Sequence, residues 1–322
     1  MAKLKKIIGI DVSKDYFDAC IKKEKFDYQV KRYPNDNLGF KKLLTDVSEK
    51  CHFVMEATGP YYLRLAMFLH QKKHVVSIIN PLVIKRYSQM KLLRAKTDKV
   101  DAILITEYGL TENENLIKWE PPKDYVIALQ QMQSLILQYQ KQRNALNNQL
   151  KAFKETGILQ SNLKKMIENE LEHINLQMKL LEEQMKETIK KYHNEMLDKL
   201  ISIPSIGNKT AILLIIITDG FKKFQNYKQL ISYVGLSPRV YSSGTSVKGK
   251  PKICKMGMSK IRSMLYVCVW TAIKHNKSCK NLYDRLVEKG KPKKLALVAV
   301  ANKLLKQSFA IAKQNVYYNE NI

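Results

Sequence analysis

The chain is 322 residues long, enough for two or three domains, and 45% of its residues are hydrophobic, which excludes a disordered basic tail. Its formal net charge is +27, and the imbalance is greatest in residues 201–322, which hold 22 basic and four acidic residues. A charge of this size favours a polyanionic partner such as nucleic acid; the alternative is a lysine-rich surface that only keeps the protein soluble.

Residues 1–115 alternate between strand patterns and helix patterns. Short apolar, β-branched runs and their flanks predict strands at 6–13, 15–23, 26–34, 51–59 and 74–80. Longer amphipathic segments predict helices at 37–50, 60–73 and 96–110. This order of elements predicts an α/β domain with a mixed sheet over residues 1–115.

A heptad pattern follows Pro121-Pro122. Its apolar residues recur in steps of three and four on either side of a break at Thr156-Gly157. They are Leu129, Met132, Ile136, Tyr139, Leu146, Leu150 and Phe153, then Ile167, Leu171, Ile174, Met178, Leu181 and Met185. We expect residues 122–200 to form a long antiparallel coiled-coil hairpin that serves dimerisation. The alternative is a hairpin that packs only on its own chain.

Residues 201–322 are predicted to form a mostly helical domain. The turn at 203–207 (IPSIG) either presents N–H groups to a phosphate at a helix N-terminus or is a plain corner between helices. A loop rich in Ser, Gly and Lys follows at 239–257, between two predicted helical segments.

Four acidic residues have the order and spacing of a two-metal nuclease site. Asp11 and Glu56 each end an apolar strand run, and Asp98 and Asp101 lie three apart on a predicted helix. Because sites in open sheets often form where neighbouring strands end, we expect these carboxylates to meet there. Two Mg²⁺ ions held in this way clamp the attacking and leaving oxygens of a phosphodiester. The sequence therefore predicts phosphoryl transfer on nucleic acid.

The loop at 239–257 carries candidate nucleophiles, because Ser242, Ser243 and Ser246 lie beside Gly244. A serine hydroxyl reacts well only when a base or a metal activates it, and nearby cations offset the charge that grows in the transition state. The candidate nucleic-acid-binding residues are Lys209, Arg239, Lys248, Lys250, Lys252, Lys255, Lys260 and Arg262. The alternative is a flexible loop or one that only binds phosphate.

The remaining residue types argue against a zinc site and a membrane span. The five cysteines form no CxxC pair, so we expect free thiols in a reducing compartment. His70 and His74 lack further ligands at zinc spacing and are interpreted as packing or surface residues. No stretch approaches the roughly 20 apolar residues of a membrane span. We therefore expect a cytoplasmic protein.

Two sets of motifs resemble one known family. GIDVSK, EATGPYY, Asn80-Pro81 and AKTDKVDA are similar to the RuvC-like, RNase H-like domain of the DEDD transposases of the insertion-sequence one-ten group, which includes the Piv-type DNA invertases. IPSIGNKTA, YVGLSPRVYSSG and a K-x-G-x(4)-R run that ends at Arg262 resemble the C-terminal transposase domain of that group. The resemblance covers nearly the whole chain and implies a bacterial protein associated with DNA.

The resemblance implies roles for particular residues and partners. Ser243 would be the nucleophile that becomes linked to a DNA strand, with Ser242 its main competitor. A structured bridge RNA would pair with double-stranded donor and target DNA. A homo-oligomer, either a dimer or a tetramer, would bring the serine of one subunit near the acidic site of another. The DEDD set that binds Mg²⁺, with two ions expected, would be Asp11, Glu56, Asp98 and Asp101.

The chain departs from the family pattern at two positions. Thr245 follows Gly244 where a second glycine is common, and Ser205 stands at the centre of the IPSIG turn where glycine is common.

Two rival functions also fit the residues. One is a RuvC-like nuclease that uses a metal-bound water and leaves free DNA ends. The other is a non-enzymatic nucleic-acid-binding protein whose carboxylates are structural.

Overall fold

The computed structural model describes residues 6–24, 27–47, 50–93, 97–239, 242–243, 247–248 and 252–320. Within these ranges, the side chains of Glu24, Ser242, Ser243, Val247, Lys248 and Lys252 lie outside the description. The chain divides into two compact units, Met1–Pro122 and Lys123–Ile322.

The first unit contains a five-stranded mixed sheet with the strand order β3-β2-β1-β4-β5. Its strands are β1 (Ile7–Val12), β2 (Tyr16–Glu24), β3 (Asp27–Pro34), β4 (His52–Glu56) and β5 (Val75–Ile79). β1 pairs antiparallel with β2, and β2 with β3, whereas β1 pairs parallel with β4, and β4 with β5. This sheet confirms the mixed α/β prediction for the N-terminal part of the chain.

The helices of this unit are α1 (Asn37–Asp46), α2 (Tyr62–Gln71), α3 (Pro81–Met90) and α4 (Asp98–Thr111), followed by a short 3-10 helix, Asn113–Asn115. α3 occupies a segment for which the apolar pattern predicted no element. Its first turn contains Pro81, and the side chain of Asn80 accepts a hydrogen bond from the Leu82 N–H at 2.9 Å. Both features are typical of a helix N-terminus, so the sequence held a signal that periodicity did not show.

β1 is buried on both of its faces. Ile8, Ile10 and Val12 belong to one core cluster, whereas Ile7 belongs to another. Because successive residues of a strand point to opposite faces, a strand covered on both sides needs apolar residues at consecutive positions. This explains why the first strand is a continuous apolar run that Asp11 interrupts near its end.

α4 lies close against β1 because two glycines permit the approach. A Cβ atom on Gly9 would clash with the backbone nitrogen of Thr106, and one on Gly109 would lie 2.9 Å from Cγ2 of Ile7. The Gly9 N–H donates to Oγ1 of Thr106 at 3.0 Å. The same hydroxyl lies 2.9 Å from the Ala102 carbonyl, one turn earlier in α4. These contacts hold the helix across the strand and place its N-terminal turn near the end of β1.

The second unit is helical. Its long helices α5 (Asp124–Glu155) and α6 (Ser161–Ile201) fold back on one another. Nη1 of Arg143, at the heptad position that lacks an apolar residue, donates to Oδ1 of Asn175 across the pair at 3.3 Å. The remaining helices are α7 (Asn208–Thr218), α8 (Tyr227–Val234), α9 (Ser259–His275), α10 (Lys277–Glu288) and α11 (Lys293–Gln314). The helical hairpin is therefore present, and its coiled-coil packing stays a prediction.

One hydrophobic core joins the hairpin to the C-terminal helices. Leu129 and Ile136 of α5 and Met185 and Ile189 of α6 pack in the same cluster as the apolar side chains of α7, α9 and α11. α7 is apolar around its whole circumference and is buried along nearly its entire length. The hairpin at 122–200 and the helical segment at 201–322, predicted as separate domains, thus share a single compact unit.

Two short antiparallel pairs lie within the segment predicted to be a loop. β6 (Pro238–Arg239) pairs with β9 (Lys252–Ile253), and β7 (Ser242–Ser243) pairs with β8 (Val247–Lys248). Strands of two residues have too few positions to show a hydrophobic period, so the pattern could not reveal them.

Within the described part of the chain, α11 is long and apolar enough to cross a membrane, by length and composition only. More than half of its most apolar window, 56%, is buried inside the fold. Leu297, Val300, Leu304 and Ile311 pack in the core of the second unit. These contacts are those of a core helix.

Candidate active site

The parallel pairing of β1 and β4 sets the first two carboxylates side by side. Ile10 is in register with Met55, so Asp11 and Glu56 follow at the same edge of the sheet. Asp98 and Asp101 lie in the first turn of α4, which runs across β1. The ends of β1 and β4 are therefore adjacent, as expected, and the meeting of the four carboxylates at one metal site stays a prediction.

The pKa of Asp11 reflects both its burial and the negative charge around it. The pKa of the Asp11 carboxyl is raised from 3.8 to about 6, chiefly by burial and then by the charges of Asp101, Asp98 and Glu56, in that order. Each neighbouring carboxylate makes ionisation of Asp11 more costly. The other three predicted acidic residues therefore lie near enough to raise the pKa of Asp11, and a divalent cation would relieve that repulsion.

The donor atoms suit a divalent cation, but the side chains are not gathered around one position. Carboxylate oxygens are the ligands that Mg²⁺ prefers. Among the residues that the structure describes, no three His, Cys, Asp or Glu side chains stand close enough together to hold one metal ion. The four acidic residues thus fit a metal by chemical type and by neighbourhood, and further convergence would be needed to bind it.

Asp98 is instead engaged by an arginine and a tyrosine that the sequence did not single out. Nη2 of Arg32 donates to Oδ2 of Asp98 at 3.0 Å, and the Tyr16 hydroxyl donates to the same oxygen at 3.1 Å. The Arg32 guanidinium carbon also lies 3.8 Å from the centre of the Tyr16 ring. One carboxylate oxygen of the predicted metal set therefore has two protein donors.

Asp18 is a third residue that the sequence did not single out. It lies in β2, in register with both Asp11 on β1 and Arg32 on β3. Its side chain is only 1% exposed, and it accepts hydrogen bonds from Nε of Arg32 at 3.0 Å and from Nη2 of Arg32 at 2.7 Å. An acidic residue in the middle of an apolar strand is the signal that could have revealed it, because a buried charge requires a partner.

The predicted serines lie in β7, whose backbone is paired with β8. Ser242 is in register with Lys248, and Ser243 with Val247. Arg239 is in register with Lys252 in the β6–β9 pair. Lys250 lies outside the described residues, as do the side chains of Ser242, Ser243, Lys248 and Lys252.

The K-x-G-x(4)-R run at 255–262 holds together the two ends of residues 235–257, the segment that contains Ser242 and Ser243 and is called the serine segment below. Gly257 has a φ of 141°, and a Cβ atom there would lie 2.9 Å from the backbone nitrogen of Gly235. Nη1 of Arg262 donates to the carbonyl oxygen of Val234 at 2.7 Å. The glycine and the arginine of this motif therefore have structural contacts at the base of the segment, whereas Arg239 and Lys255 are exposed.

Two of the predicted basic residues line a cavity of about 430 Å³ beside α5, α6, α7 and α9. Nζ of Lys209 lies 2.7 Å from Oε1 of Glu182, and Nζ of Lys260 donates to Oε1 of Gln140 at 2.6 Å. Burial lowers the pKa of the Lys260 ammonium, and the charge of Lys209 lowers it further. Both cations already have protein partners.

Comparison with protein families matches both parts of this arrangement. Residues 8–155 match the IS110-type DEDD transposase family, described as a transposase, and residues 197–284 match the transposase IS116/IS110/IS902 family. The chain belongs to the IS110 family of transposases. The resemblance stated from its motifs is thereby confirmed.

Individual relatives of this IS110 transposase include DNA-inverting proteins. It is 33% identical to the pilin gene-inverting protein of Moraxella lacunata over 328 residues, covering 99% of each chain, and equally similar to that of Moraxella bovis. It is 26% identical to the insertion element IS110 uncharacterized 43.6 kDa protein of Streptomyces coelicolor, over 38% of the chain and 30% of that protein. The family acts on DNA, and its DEDD transposases generally use a divalent metal.

Proposed function

We propose that this chain is a recombinase that cleaves and rejoins DNA strands to move an insertion element. Two relatives that match it end to end are named for gene inversion, which is itself a cleavage and rejoining of DNA. The observation that carries the proposal is the edge of the sheet where Asp11 and Glu56 lie side by side. The pKa of Asp11 rises to about 6 there, in a chain of net charge +27. A basic protein that concentrates acidic groups at one edge has a use for cations there.

In this proposal, the first unit is a RuvC-like, RNase H-like domain whose DEDD set binds two Mg²⁺ ions. The bound ions would supply Lewis-acid stabilisation of the phosphate oxygens. The residues that would hold them are Asp11, Glu56, Asp98 and Asp101. Their surroundings support the assignment, because Asp11 is partly buried and has carboxylate neighbours on two elements.

The nucleophile in the proposal is the hydroxyl of Ser243. Its oxygen would form a bond to the scissile phosphorus while the bond from phosphorus to the leaving sugar oxygen breaks, and the proton would pass to the leaving oxygen. The phosphoserine ester conserves the energy of the original phosphodiester, so rejoining needs no ATP. Ser242, the neighbouring residue of β7, is the competing candidate for this role.

The partners in the proposal are donor and target DNA, a bridge RNA and further copies of the chain. The charge of residues 201–322 supports a polyanionic partner without distinguishing DNA from RNA. The hairpin of α5 and α6 supports oligomerisation, because Ile158, Met166 and Leu176 are exposed on it or at its turn.

A gel assay tests the proposed reaction. The protein is incubated with Mg²⁺, RNA from the flanking element and labelled donor and target DNA, and the products are run on denaturing gels with and without protease. We expect a slowly migrating DNA species that protease removes and that Ser243→Ala does not form. Cleaved DNA with free ends and no adduct would instead establish a nuclease that uses water. Binding without any metal-dependent product would contradict catalysis.

A further inference from the structure

Arg32 is anchored on one side by a buried carboxylate. The Asp18 side chain is 1% exposed and accepts two hydrogen bonds from the guanidinium, through Nε and Nη2. Two parallel charge-assisted bonds of this kind are among the strong ones in proteins. Removing a partner from a buried ion pair leaves an uncompensated charge, which is strongly destabilising. Arg32 therefore stays on Asp18 in the folded protein.

The contact on the other side of Arg32 is much weaker. Its Nη2 also lies 3.0 Å from Oδ2 of Asp98. The Arg32 side chain is 50% exposed and the Asp98 side chain is 46% exposed. Exposed ion pairs contribute little to stability, because water screens them and ordering the side chains costs entropy. Of the two carboxylates that Arg32 binds, Asp98 is the one that can be released at small cost.

The oxygen that Arg32 and Tyr16 share is one that a metal would need. Oδ2 of Asp98 accepts hydrogen bonds from both residues. A divalent cation and a guanidinium repel each other and cannot approach the same oxygen from the same side. In this arrangement, no three metal-binding side chains of the described ranges stand within reach of one ion.

We propose that Arg32 is a positioning residue that retains Asp98 in the metal-free protein, and that a divalent cation binds by taking Asp98 from Arg32. The inference rests on the metal site of the proposed function. Arg32 remains on Asp18 throughout, so only the Asp98 side chain changes partner. Arg32 thereby sets the cation concentration at which the carboxylate set converges.

The test measures Mn²⁺ binding to the full-length protein by isothermal titration calorimetry, with no DNA present. The main variant is the double substitution Asp18→Asn with Arg32→Gln, which removes one charge of each sign and leaves no buried ion unpaired. We expect it to bind Mn²⁺ about two- to five-fold more tightly than the wild type, the factor that release of an exposed ion pair supplies. Arg32→Lys keeps a cation beside Asp98 and should stay within about two-fold of the wild type.

The matched control is Lys31→Gln on the same strand. Lys31 is also half-exposed and pairs with Asp46 at 3.1 Å, so its substitution removes a comparable ion pair without touching Asp98. We expect its Mn²⁺ affinity to equal that of the wild type, and thermal melts to show that each variant is folded.

Two outcomes would overturn the inference, and they differ in what they say of the proposed function. If the wild type binds Mn²⁺, Asp11→Asn abolishes that binding, and the double variant binds no more tightly than the wild type, Arg32 does not restrain Asp98 while the metal site stands. If the wild type shows no binding that depends on Asp11, the metal site itself fails and the inference fails with it.

Discussion

At the scale of single residues, Asp11 is the most informative side chain of the site. Its pKa of about 6 has burial as its largest cause, followed by the charges of Asp101, Asp98 and Glu56. The pKa of Asp11 in the folded protein lies above 3.8, the ordinary value of an aspartate in an unfolded chain. The folded state therefore binds the proton more tightly than the unfolded chain does. Asp11 therefore favours folding when it is protonated and opposes it when it is ionised.

The raised pKa of Asp11 determines how stability depends on pH. The stability that protonated Asp11 contributes is fully present below pH 3.8 and is lost as the pH rises through about 6. We expect the free energy of unfolding of the metal-free wild type, relative to Asp11→Asn, to fall over this interval in urea titrations with EDTA. Asp15→Asn, at an exposed position nearby, should follow the wild type. A difference between wild type and Asp11→Asn that does not change with pH would contradict the assignment.

The serine pair gives the second prediction at this scale. Ser243→Ala should lower strand exchange by about a thousand-fold or more, as expected when a nucleophile is removed, and should leave nucleic-acid affinity unchanged. Ser242→Ala is the matched control, because it alters the adjacent residue of β7 and should retain the covalent adduct. Loss of the adduct in Ser242→Ala, with activity retained in Ser243→Ala, would reverse the assignment.

At the scale of elements, the contact between α4 and β1 decides whether the carboxylates meet. Gly9 and Gly109 allow the approach, and the Gly9 N–H is bonded to Thr106 in the middle of the helix. Asp98 and Asp101 are in the first turn of that helix, so a displacement of α4 moves both of them relative to Asp11. Packing at Gly9 thus controls a site two residues farther along the strand.

Gly9→Ala tests this packing. The added methyl group meets backbone atoms of Thr106 and Ala102, so α4 must move, and we expect a loss of roughly 1–3 kcal/mol in the free energy of unfolding. Mn²⁺ affinity should fall as well. Lys99→Ala, on the exposed side of the same helix, should change stability by less than about 0.5 kcal/mol. Wild-type stability and metal affinity in Gly9→Ala would show that α4 does not depend on this contact.

At the scale of the whole molecule, charge and chemistry are distributed differently along the chain. The carboxylate set lies in Met1–Pro122, whereas the serine segment and the strongest basic excess lie in Lys123–Ile322. A catalytic reaction that uses both needs the two units, from one copy or from two, at the same DNA strand. In the proposed homo-oligomer, the two units would come from different copies.

The basic excess predicts a strong salt dependence of nucleic-acid binding. Each phosphate contact releases counterions, so the affinity falls linearly with salt on logarithmic axes. Replacing the exposed residues Arg239 and Lys255 together by Gln should reduce that slope by about two, with both DNA and RNA. Lys31→Gln, in the first unit, should leave the slope unchanged in fluorescence anisotropy titrations. An unchanged slope in the double variant would show that these two cations do not contact phosphates.

The sequence by itself determined the elements whose own residues carry a period or a motif. The apolar runs that contain Asp11 and Glu56, the long heptads of α5 and α6 and the family motifs were readable because each signal lies within one short segment. The two-residue strands around Ser242 and Ser243 were not, since so few positions show no period.

Only the tertiary structure decided which charges meet. Arg32 reaches Asp98 because the register of β2 and β3 sets it beside Asp18, and because α4 lies across β1 at Gly9. The shared core of the hairpin and the C-terminal helices is decided in the same way, by side chains distant in sequence. Periodicity reports which face of an element is buried, whereas pairing across strands and helices depends on long-range packing that no local pattern encodes.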